Sequence, residues 1–270
     1  LFTTYSDGKE VWVSTAENTA NENVPDFGGG DTVYNVIDTR QSYPQDIVKK
    51  GVSLISPEKG EAASVHLSYD MVTLSPNAAE ELGFELSEED KQKSFVEMSG
   101  RKGLGVKADD FINSLEEKAF EEVSRRNPEF AVETQKKIAH QIAVGALRYF
   151  LLKFTRNTLI VFDFKEALAF EGETGAYCQN AAVRFNSIFK KLEENALEKA
   201  QEVIANQDVS DIFASEIGND LWALVILASR LEEVISQAAN VVEPAILAKY
   251  SFNLAKAMHL FHHNHRIITE

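Results

Sequence analysis

The spacing of hydrophobic and polar positions changes near Lys107. Before it, short apolar runs alternate with polar stretches, which is typical of strands in an α/β sheet. After it, the apolar spacing is helical throughout. The predicted strands are Val11–Val13, Thr32–Ile37 and Val65–Tyr69, with a crossover helix at Asp46–Leu54. The later predicted helices are Ala108–Arg126, Glu133–Thr155, Asp163–Phe170, Gly175–Glu194, Leu197–Asn206, Glu216–Val241 and Pro244–Ile268.

Two prolines and one apolar stripe add detail to the helical region. Pro128 and Pro244 fit helix starts, where a missing backbone N–H leaves no hydrogen bond unmade. The spacing of six residues predicts the core-facing side of the helix over 133–155. These residues are Ile138, Ile142, Val144, Ala146, Tyr149 and Leu152.

Composition allows two domains. The chain has 270 residues, 44% hydrophobic and 10% aromatic, which is enough to bury a sizeable core. Its single cysteine, Cys178, excludes an internal disulfide and fits a reducing compartment. With no leader and no long apolar run, we expect a soluble cytoplasmic chain. The start at Leu1, without a methionine, suggests a fragment of a longer protein.

The formal net charge of −15 is unevenly distributed. Residues 1–100 carry 18 acidic and 7 basic side chains, and residues 101–270 carry 24 and 20. Within 101–156 the balance is positive, with 11 basic and 8 acidic side chains. A local basic surface of this kind can bind phosphates because charge is screened beyond about 10 Å. A mixed helix surface explains any single lysine equally well.

Residues 97–106 read Glu-Met-Ser-Gly-Arg-Lys-Gly-Leu-Gly-Val. Two adjacent cations among three glycines suit polyphosphate binding, because glycine lets the backbone approach and the cations neutralise charge on a leaving pyrophosphate. A plain surface loop is the alternative for this segment alone. Residues 170–184 add a second motif, Phe-Glu-Gly-Glu-Thr-Gly-Ala-Tyr-Cys-Gln-Asn-Ala-Ala-Val-Arg.

Together the two motifs resemble the arginyl-tRNA synthetases, a family of class I synthetases. Ser6-Asp7-Gly8, the strand Val33–Ile37 and the segment Leu254–Glu270 are also similar to the family. The resemblance implies an α/β part followed by an all-α part, namely the C-terminal half of a Rossmann-like catalytic domain joined to a helical-bundle anticodon-binding domain. It implies a catalytic part at 1–106, a helical connecting, stem-contact region at 107–175 and an anticodon-binding domain at 176–270.

The implied function is part of an arginine–tRNA ligase, which forms arginyl-adenylate from arginine and ATP and charges tRNA(Arg). ATP, expected with Mg²⁺, is a substrate, and no tightly bound cofactor is expected. Lys102 and Arg101 would be catalytic, and Met98, Ser99 and Lys102 would bind ATP. Glu97 departs from the first lysine of many class I loops. None of the six histidines lies in the family's other phosphate motif, so we expect this chain to be inactive alone.

Arginine recognition requires a carboxylate for the guanidinium group. Gln41 matches the family's substrate glutamine, whereas Trp12, Ala16 and Pro44 depart from its pattern. Glu17 or Asp38 remains for the guanidinium, and we favour Asp38 because it ends a predicted strand, where α/β proteins bind ligands. Helix capping or a turn is the alternative for both Gln41 and Asp38.

Five side chains are expected to contact tRNA. Tyr177 and Gln179 lie in the second motif, where Ala176, Cys178 and Asn180 depart from the family. The terminal helix has Phe261, His262 and Arg266 where the family has an aromatic anticodon platform, so imidazole would stack on a base and Arg266 would reach a phosphate. Phe261 fits the core equally well. Lys190 and Lys191 are further phosphate contacts, and no metal is expected at the terminal histidines.

Three functional classes stay open at this point. The first is part of a ligase whose partners are tRNA(Arg), arginine and ATP, monomeric and away from membranes. The second is a noncatalytic synthetase paralogue acting as an RNA-binding module. The third is a helical scaffold whose loop match is accidental.

Overall fold

A computed structural model of the chain describes residues 3–11, 30–96, 107–169, 171–192 and 195–267. The strands are β1 (Thr3–Thr4), β2 (Glu10–Val11), β3 (Val33–Asp38), β4 (Ser64–Tyr69), β5 (Val72–Leu74) and β6 (Ile160–Phe162). The α-helices are α1 (Ser42–Ile55), α2 (Pro76–Glu81), α3 (Glu88–Lys91), α4 (Ala108–Arg126), α5 (Val132–Leu152), α6 (Phe164–Ala167), α7 (Gly175–Lys191), α8 (Ala196–Asn206), α9 (Ser210–Ala214), α10 (Gly218–Ser229), α11 (Leu231–Asn240) and α12 (Ala245–Asn264).

Contacts divide the chain into two compact units. Unit 1 contains Leu1–Asn35 and Tyr43–His66, and unit 2 contains Val36–Ser42 and Leu67–Glu270. Three two-stranded sheets occur in the described residues, with the pairs β1–β2, β3–β4 and β5–β6. Two short 3-10 helices, Thr39–Gln41 and Glu61–Ala63, precede α1 and β4.

In unit 1, β1 and β2 form an antiparallel hairpin. Its turn contains the Ser-Asp-Gly sequence of residues 6–8. Gly8 has a φ of 84°, a conformation that L side chains rarely adopt, and Asp7 Oδ1 accepts a hydrogen bond from the Lys9 N–H at 3.1 Å. Charge pairing joins α1 to the second 3-10 helix, because Lys50 Nζ lies 3.1 Å from Glu61 Oε1.

The main core of unit 2 lies between the β5–β6 pair and the helices α4 and α5. Parallel pairing sets Val72 opposite Ile160 and Leu74 opposite Phe162. Phe162 is fully buried and its ring lies edge-on to Phe150, with centroids 4.8 Å apart. The buried Thr73 Oγ1 donates to the Ile160 carbonyl at 3.0 Å, so the polar atom in this core is satisfied.

Three sequence predictions for the helical region are wrong. The strand β6 interrupts the region predicted to be helical throughout, because Ile160–Phe162 pairs with the distant β5. The predicted helix 216–241 is two helices, α10 and α11, which meet at Arg230, and α9 precedes them. Pro128 lies in a turn rather than at a helix start, since α5 begins at Val132.

The buried stripe of α5 differs from the predicted one. Its buried residues are Gln135, Ala139, Ala143, Ala146 and Phe150. Of the predicted stripe, Ala146 is buried and Ile138 and Ile142 are partly buried against the core, but Leu152 is 44% exposed. The three buried alanines lie in the middle of α5, which packs on both α4 and α7, and Phe150 near its C-terminal end packs against Phe162.

The helices α5, α7, α10 and α11 pack against α12. Tyr250 of α12 donates its hydroxyl to the Leu227 carbonyl of α10 at 3.0 Å, and Tyr149 of α5 donates to the Ala248 carbonyl at 3.2 Å. α12 begins directly after Pro244, as predicted. Within the residues that the structure describes, no helix combines the length and apolarity that crossing a membrane requires.

Candidate nucleic-acid interface

The helix α7 starts at a buried cap. Thr174 is 5% exposed, and its hydroxyl oxygen accepts a hydrogen bond from the Tyr177 N–H at 3.2 Å. Gly172, with a φ of 80°, makes the turn that leads into the cap. The sequence Gly-Glu-Thr-Gly therefore fixes where α7 begins and the direction in which it leaves the turn.

Two glycines set the distance between α5 and α7. A Cβ atom on Gly175 would lie 2.5 Å from the Gly145 carbonyl oxygen, which is closer than side chains tolerate. Beside this crossing, Gln179 Nε2 donates to the Gln141 carbonyl of α5 at 2.9 Å. The two helices therefore cross backbone to backbone and are tied together by an amide side chain.

Tyr177 joins α7 to α12. Its ring packs against Phe252 with centroids 5.4 Å apart and lies edge-on to His259 at 4.7 Å. The structure thus places Tyr177 and Gln179, both predicted to contact tRNA, in contacts between helices. A direct contact of either side chain with RNA stays a prediction.

A groove of about 640 Å³ lies between the C-terminal halves of α7 and α12. Residues of α7 form one wall, and the last turn of α12 with the segment after it forms the other. The lining residues are Val183, Arg184, Ser187, Ile188, Lys191, His262, His263, Asn264, His265, Arg266 and Ile267. The structure therefore brings together His262 and Arg266, both predicted contacts, with Lys191.

The groove is basic in an otherwise acidic chain. None of its described lining residues is Asp or Glu, although the chain has 42 acidic and 27 basic side chains. Arg184 and Lys191 lie two helical turns apart, so they project from the same side of α7. Arg184, Lys191 and Arg266 are all exposed to solvent. The groove thus offers several cations to an anionic ligand.

A polar and aromatic layer supports the α12 wall. His265 Nε2 lies 2.8 Å from Asp220 Oδ2 of α10, and its ring packs against Phe261 with centroids 4.8 Å apart. His262 and His263 are exposed. Phe261 is half-buried, packs against His265 and is not among the lining residues of the groove, which fits the core alternative better than base stacking. Its contact with RNA stays a prediction.

Comparisons with known proteins agree on one family. Residues 178–270 match the DALR anticodon binding domain. The chain is 30% identical over 260 residues to an arginine–tRNA ligase of Deinococcus radiodurans, covering 95% of the chain and 38% of the relative. It is 31% identical over 247 residues to the arginine–tRNA ligase of Pyrococcus furiosus, covering 90% and 35%. Its structure resembles the arginyl-tRNA synthetase of Thermus thermophilus with a TM-score of 0.65 and 26% identity, covering 87% of this chain and 33% of the other.

The chain belongs to the arginyl-tRNA synthetase family. It corresponds to the C-terminal part of these synthetases and spans little more than a third of the length of the curated relatives it matches. The predicted fold class, an α/β part followed by an all-α part, is confirmed. The groove lies wholly within the residues that match the anticodon-binding domain.

The synthetase side chains predicted to bind arginine lie near the end of β3. Asp38 accepts three hydrogen bonds from Arg40: from the backbone N–H at 2.8 Å, from Nε at 2.9 Å and from Nη2 at 2.8 Å. These bonds lower the pKa of Asp38 to about 2. Its carboxylate therefore already holds a guanidinium group, and it caps the 3-10 helix that contains the exposed Gln41. Capping, the alternative reading, is what the structure shows, and arginine binding stays a prediction.

The predicted ATP loop of the synthetase lies outside the described residues. Met98, Ser99, Arg101 and Lys102 all belong to the segment 97–106, for which the structure gives no description. Glu17, the other candidate for the guanidinium, is likewise outside. In the described ranges, no group of three or more His, Cys, Asp or Glu residues is arranged to hold a metal ion.

Cys178 lies half-buried on α7. Burial, followed by the negative charge of Glu173, raises the pKa of its thiol to about 11. A thiol of this kind is almost entirely protonated at neutral pH and is a poor nucleophile. The structure agrees with the interpretation of Cys178 as a packing residue.

Two groove residues, Arg184 and His263, were given no RNA-binding role in the sequence analysis. Arg184 received no role there, although its seven-residue spacing from Lys191 is visible in the sequence. What the sequence does not show is that this side of α7 meets the end of α12. Lys190, which was predicted to bind phosphate with Lys191, is not among the lining residues.

Proposed function

We propose that the α7–α12 groove binds the anticodon arm of tRNA(Arg). The observation that carries this proposal is a groove without carboxylates among its described lining, within a DALR anticodon binding domain, in a chain with net charge −15. An RNA backbone gains from cations within a few ångströms, whereas more distant acidic residues are screened at physiological salt.

The groove offers two kinds of contact to RNA. Arg184, Lys191 and Arg266 would neutralise phosphates, which positions the RNA without reading its sequence. The exposed imidazole groups of His262 and His263 would stack on unpaired bases of the loop. Because Asp220 and Phe261 hold His265 against the wall, the base-contacting side rests on a fixed support.

The salt dependence of binding tests the phosphate contacts. The triple variant Arg184→Ala, Lys191→Ala, Arg266→Ala should lower the slope of log affinity against log salt by about 2, since each lost single-strand phosphate contact contributes about 0.7. Binding of a tRNA(Arg) transcript would be followed by fluorescence anisotropy. The matched control replaces Lys93, Lys118 and Lys136, which removes the same charge from surface ion pairs elsewhere. Equal losses in both triples would reject the groove as the binding site.

A separate variant tests base stacking. His262→Ala should weaken binding of the anticodon stem–loop by about 1–3 kcal/mol while leaving the salt slope unchanged. His140→Ala is the control, because His140 is an exposed histidine on α5, paired with Glu116 away from the groove. A salt slope that changes with His262→Ala would show that this residue acts through charge rather than stacking.

The wider proposal is that the chain acts as part of an arginine–tRNA ligase. Arginine carboxylate attacks the α-phosphate of ATP, which enters with Mg²⁺ as a substrate, and pyrophosphate leaves. Lys102 and Arg101 would stabilise charge on the leaving group, and Met98 and Ser99 would shape the ATP site. Residues 1–106 would complete the catalytic domain, 107–175 would contact the tRNA stem, and 176–270 would read the anticodon.

Asp38 and Gln41 would hold the substrate arginine in this ligase. The bidentate pair with Arg40 shows that the Asp38 carboxylate can accept a guanidinium fork, and the substrate would have to displace Arg40. In the complete ligase, Asp38→Asn should weaken arginine binding much more than ATP binding. If Glu17→Gln has that effect instead, the guanidinium lies elsewhere.

The second candidate is a noncatalytic paralogue that acts as an RNA-binding module. The occupied Asp38 carboxylate is the observation that favours it. Arginine-dependent ATP–pyrophosphate exchange separates the two, because only the ligase catalyses it. We expect no exchange with the 270-residue chain alone, which we propose to be a cytoplasmic monomer, and exchange with the complete ligase. An inactive complete protein that still binds tRNA(Arg) would support the paralogue.

A further inference from the structure

The link between α11 and α12 has an unusual backbone. Val242 has a φ of 52°, the only positive φ of a residue other than glycine in the described part of the chain. Its N–H donates to the Ala239 carbonyl at 3.2 Å, and the next N–H in the chain donates to the Ala238 carbonyl at 2.9 Å. A left-handed residue with these two bonds is a common helix end, but that residue is normally glycine. A β-branched side chain is strained in this conformation.

Glu243, the next residue, also departs from the usual helix end. An apolar side chain at this position normally packs back on the last turn. Here the Glu243 carboxylate faces Arg156, in the segment between α5 and β6. Its Oε2 atom accepts a hydrogen bond from the Arg156 backbone N–H at 3.4 Å and lies 3.7 Å from Nε. Arg156 Nη2 also donates to the Val241 carbonyl at 3.5 Å, so one arginine contacts the link at two points.

Arg156 is itself tied to the strands of unit 2. Its carbonyl oxygen accepts a hydrogen bond from the Asp70 N–H at 2.8 Å, in the turn between β4 and β5. β5 in turn pairs with β6, the strand that follows Arg156. The contacts of Arg156 therefore join the β5–β6 pair to the start of α12.

Stability does not explain this link. The side chains of Arg156 and Glu243 are only 24% and 20% exposed, and an ion pair that is largely buried contributes little net stability because both charges lose water. In the described residues, Arg156 Nε and Glu243 Oε1 have no hydrogen-bond partner. A strained residue beside an incompletely bonded ion pair is expected where a fold maintains one geometry for function.

The geometry maintained here is the direction of α12. The helix begins at Ala245, and His262 of the groove lies about 26 Å farther along its axis at 1.5 Å per residue. A tilt of about 10° at the link would move the α12 wall by about 4 Å relative to α7. Such a shift breaks hydrogen bonds and ion pairs to a ligand that spans both walls.

We propose that Arg156 and Glu243 are positioning residues for RNA binding. Their pair keeps Val242 left-handed, and this backbone conformation sets the width of the α7–α12 groove. Neither residue of the pair is among the described lining of the groove. RNA binding by the groove is the function proposed above, on which this inference rests. The width of the groove, however, can be measured without RNA.

Removing one negative charge separates positioning from electrostatics. Glu243→Gln keeps the shape of the side chain but removes an anion, which by charge alone would strengthen RNA binding. Positioning predicts the opposite: affinity for the anticodon stem–loop of tRNA(Arg) should fall by about fivefold or more in fluorescence anisotropy, with an unchanged salt slope. Glu233→Gln is the matched control, because Glu233 also pairs with an arginine, Arg230, but on the exposed side of α11. It should bind RNA as tightly as the wild type or more tightly.

The variant Val242→Gly tests the role of the backbone. It removes the strain, so it should raise the melting temperature by about 2–4 °C and leave RNA affinity unchanged. In a Glu243→Gln chain, adding Val242→Gly should restore most of the lost affinity, because glycine adopts the left-handed conformation without a side-chain contact. Circular dichroism checks that each variant keeps its fold.

Electron–electron double resonance measures the width of the groove directly. Nitroxide labels at Lys190→Cys on α7 and Leu260→Cys on α12, in a Cys178→Ala chain, report the separation of the two walls. Lys190 and Leu260 are exposed and are not lining residues. Without RNA, Glu243→Gln should shift or broaden the distance distribution by about 4 Å, and Val242→Gly should reverse this change.

Three results would overturn the positioning role. The first is RNA binding by Glu243→Gln that is as tight as that of Glu233→Gln. The second is a loss of affinity that Val242→Gly does not restore. The third is an unchanged distance distribution between the labels. A wild-type chain that binds no RNA would instead reject the proposed function of the groove, and the label distances would still decide whether the pair sets its width.

Discussion

The close crossing of α5 and α7 predicts that one methyl group added at Gly175 destabilises the fold. In Gly175→Ala the new Cβ atom would lie 2.5 Å from the Gly145 carbonyl oxygen, 2.9 Å from its carbon and 3.0 Å from Ala146 Cα. All three neighbours are backbone atoms, so no side chain can rotate away. To bring the new Cβ atom from 2.5 Å to an ordinary contact distance of about 3.4 Å from the Gly145 oxygen, the helices must separate by about 0.9 Å.

The magnitude follows from two opposing effects. Overpacking a close contact costs about 1–3 kcal/mol. Alanine in place of glycine favours a helix by up to about 1 kcal/mol, and less at the first position of α7, which Gly175 occupies. We therefore expect a net destabilisation of about 1–2 kcal/mol. For a unit of this size that lowers the melting temperature by about 2–8 °C.

Two control substitutions separate the clash from the effect of glycine itself. Gly51→Ala in α1 meets nothing within 4 Å, so it should stabilise the chain slightly. Gly145→Ala meets the flexible amide end of Gln179, so it should destabilise less than Gly175→Ala, and Gln179→Ala in the same chain should relieve it. Thermal unfolding followed by circular dichroism measures all four. A Gly175→Ala chain that melts at or above the wild-type temperature would refute the tight crossing.

Three further predictions concern the same region and β3. Thr174→Ala should cost about 1 kcal/mol in denaturant unfolding because the α7 cap is lost, whereas Thr174→Ser should keep it. With a pKa of about 11 against an ordinary 9.0, Cys178 should have about a hundredfold less thiolate than a free cysteine at pH 8. Its alkylation by iodoacetamide, followed by mass spectrometry, should therefore be slow. Since folding disfavours the thiolate, stability should fall as pH rises from 9 toward 11, and Cys178→Ala should lack this fall. Arg40→Ala should raise the pKa of Asp38 from about 2 toward 3.8, as measured by NMR titration, and a value that stays near 2 would exclude Arg40 as the cause.

The sequence predicted elements well where local signals set their ends. α4 spans Ala108–Arg126 as predicted, and α7 begins at the predicted Gly175, next to its capping threonine. β6 was missed because three residues carry no recognisable period, and its strand form depends on β5, which lies about 90 residues earlier. The end of α10 was missed because neither glycine nor proline separates it from α11.

The residues of the proposed site could be predicted from the sequence only within one helix at a time. His262 and Arg266 were identified because they lie in one short segment of a recognisable motif. A role for Arg184 could be predicted only with the knowledge that the C-terminal halves of α7 and α12 meet. Tyr177 and Gln179 were predicted to contact RNA, but both side chains make contacts between helices. The sequence of a motif does not show which of its residues pack against another helix and which face a ligand.

In the proposed complex with RNA, the acidity of the chain would affect selectivity. A basic surface binds any nucleic acid more tightly as salt is lowered, because counterion release favours every contact. Here the net charge of −15 repels RNA that approaches the chain. This repulsion extends over a Debye length, which is about 30 Å at 0.01 M salt but only about 8 Å at physiological salt. An RNA that does not enter the groove would experience mainly this repulsion, whereas one that enters it as proposed would contact Arg184, Lys191 and Arg266 directly. The gap in affinity between tRNA(Arg) and an unrelated duplex RNA should therefore persist at low salt, where a uniformly basic binder would lose it.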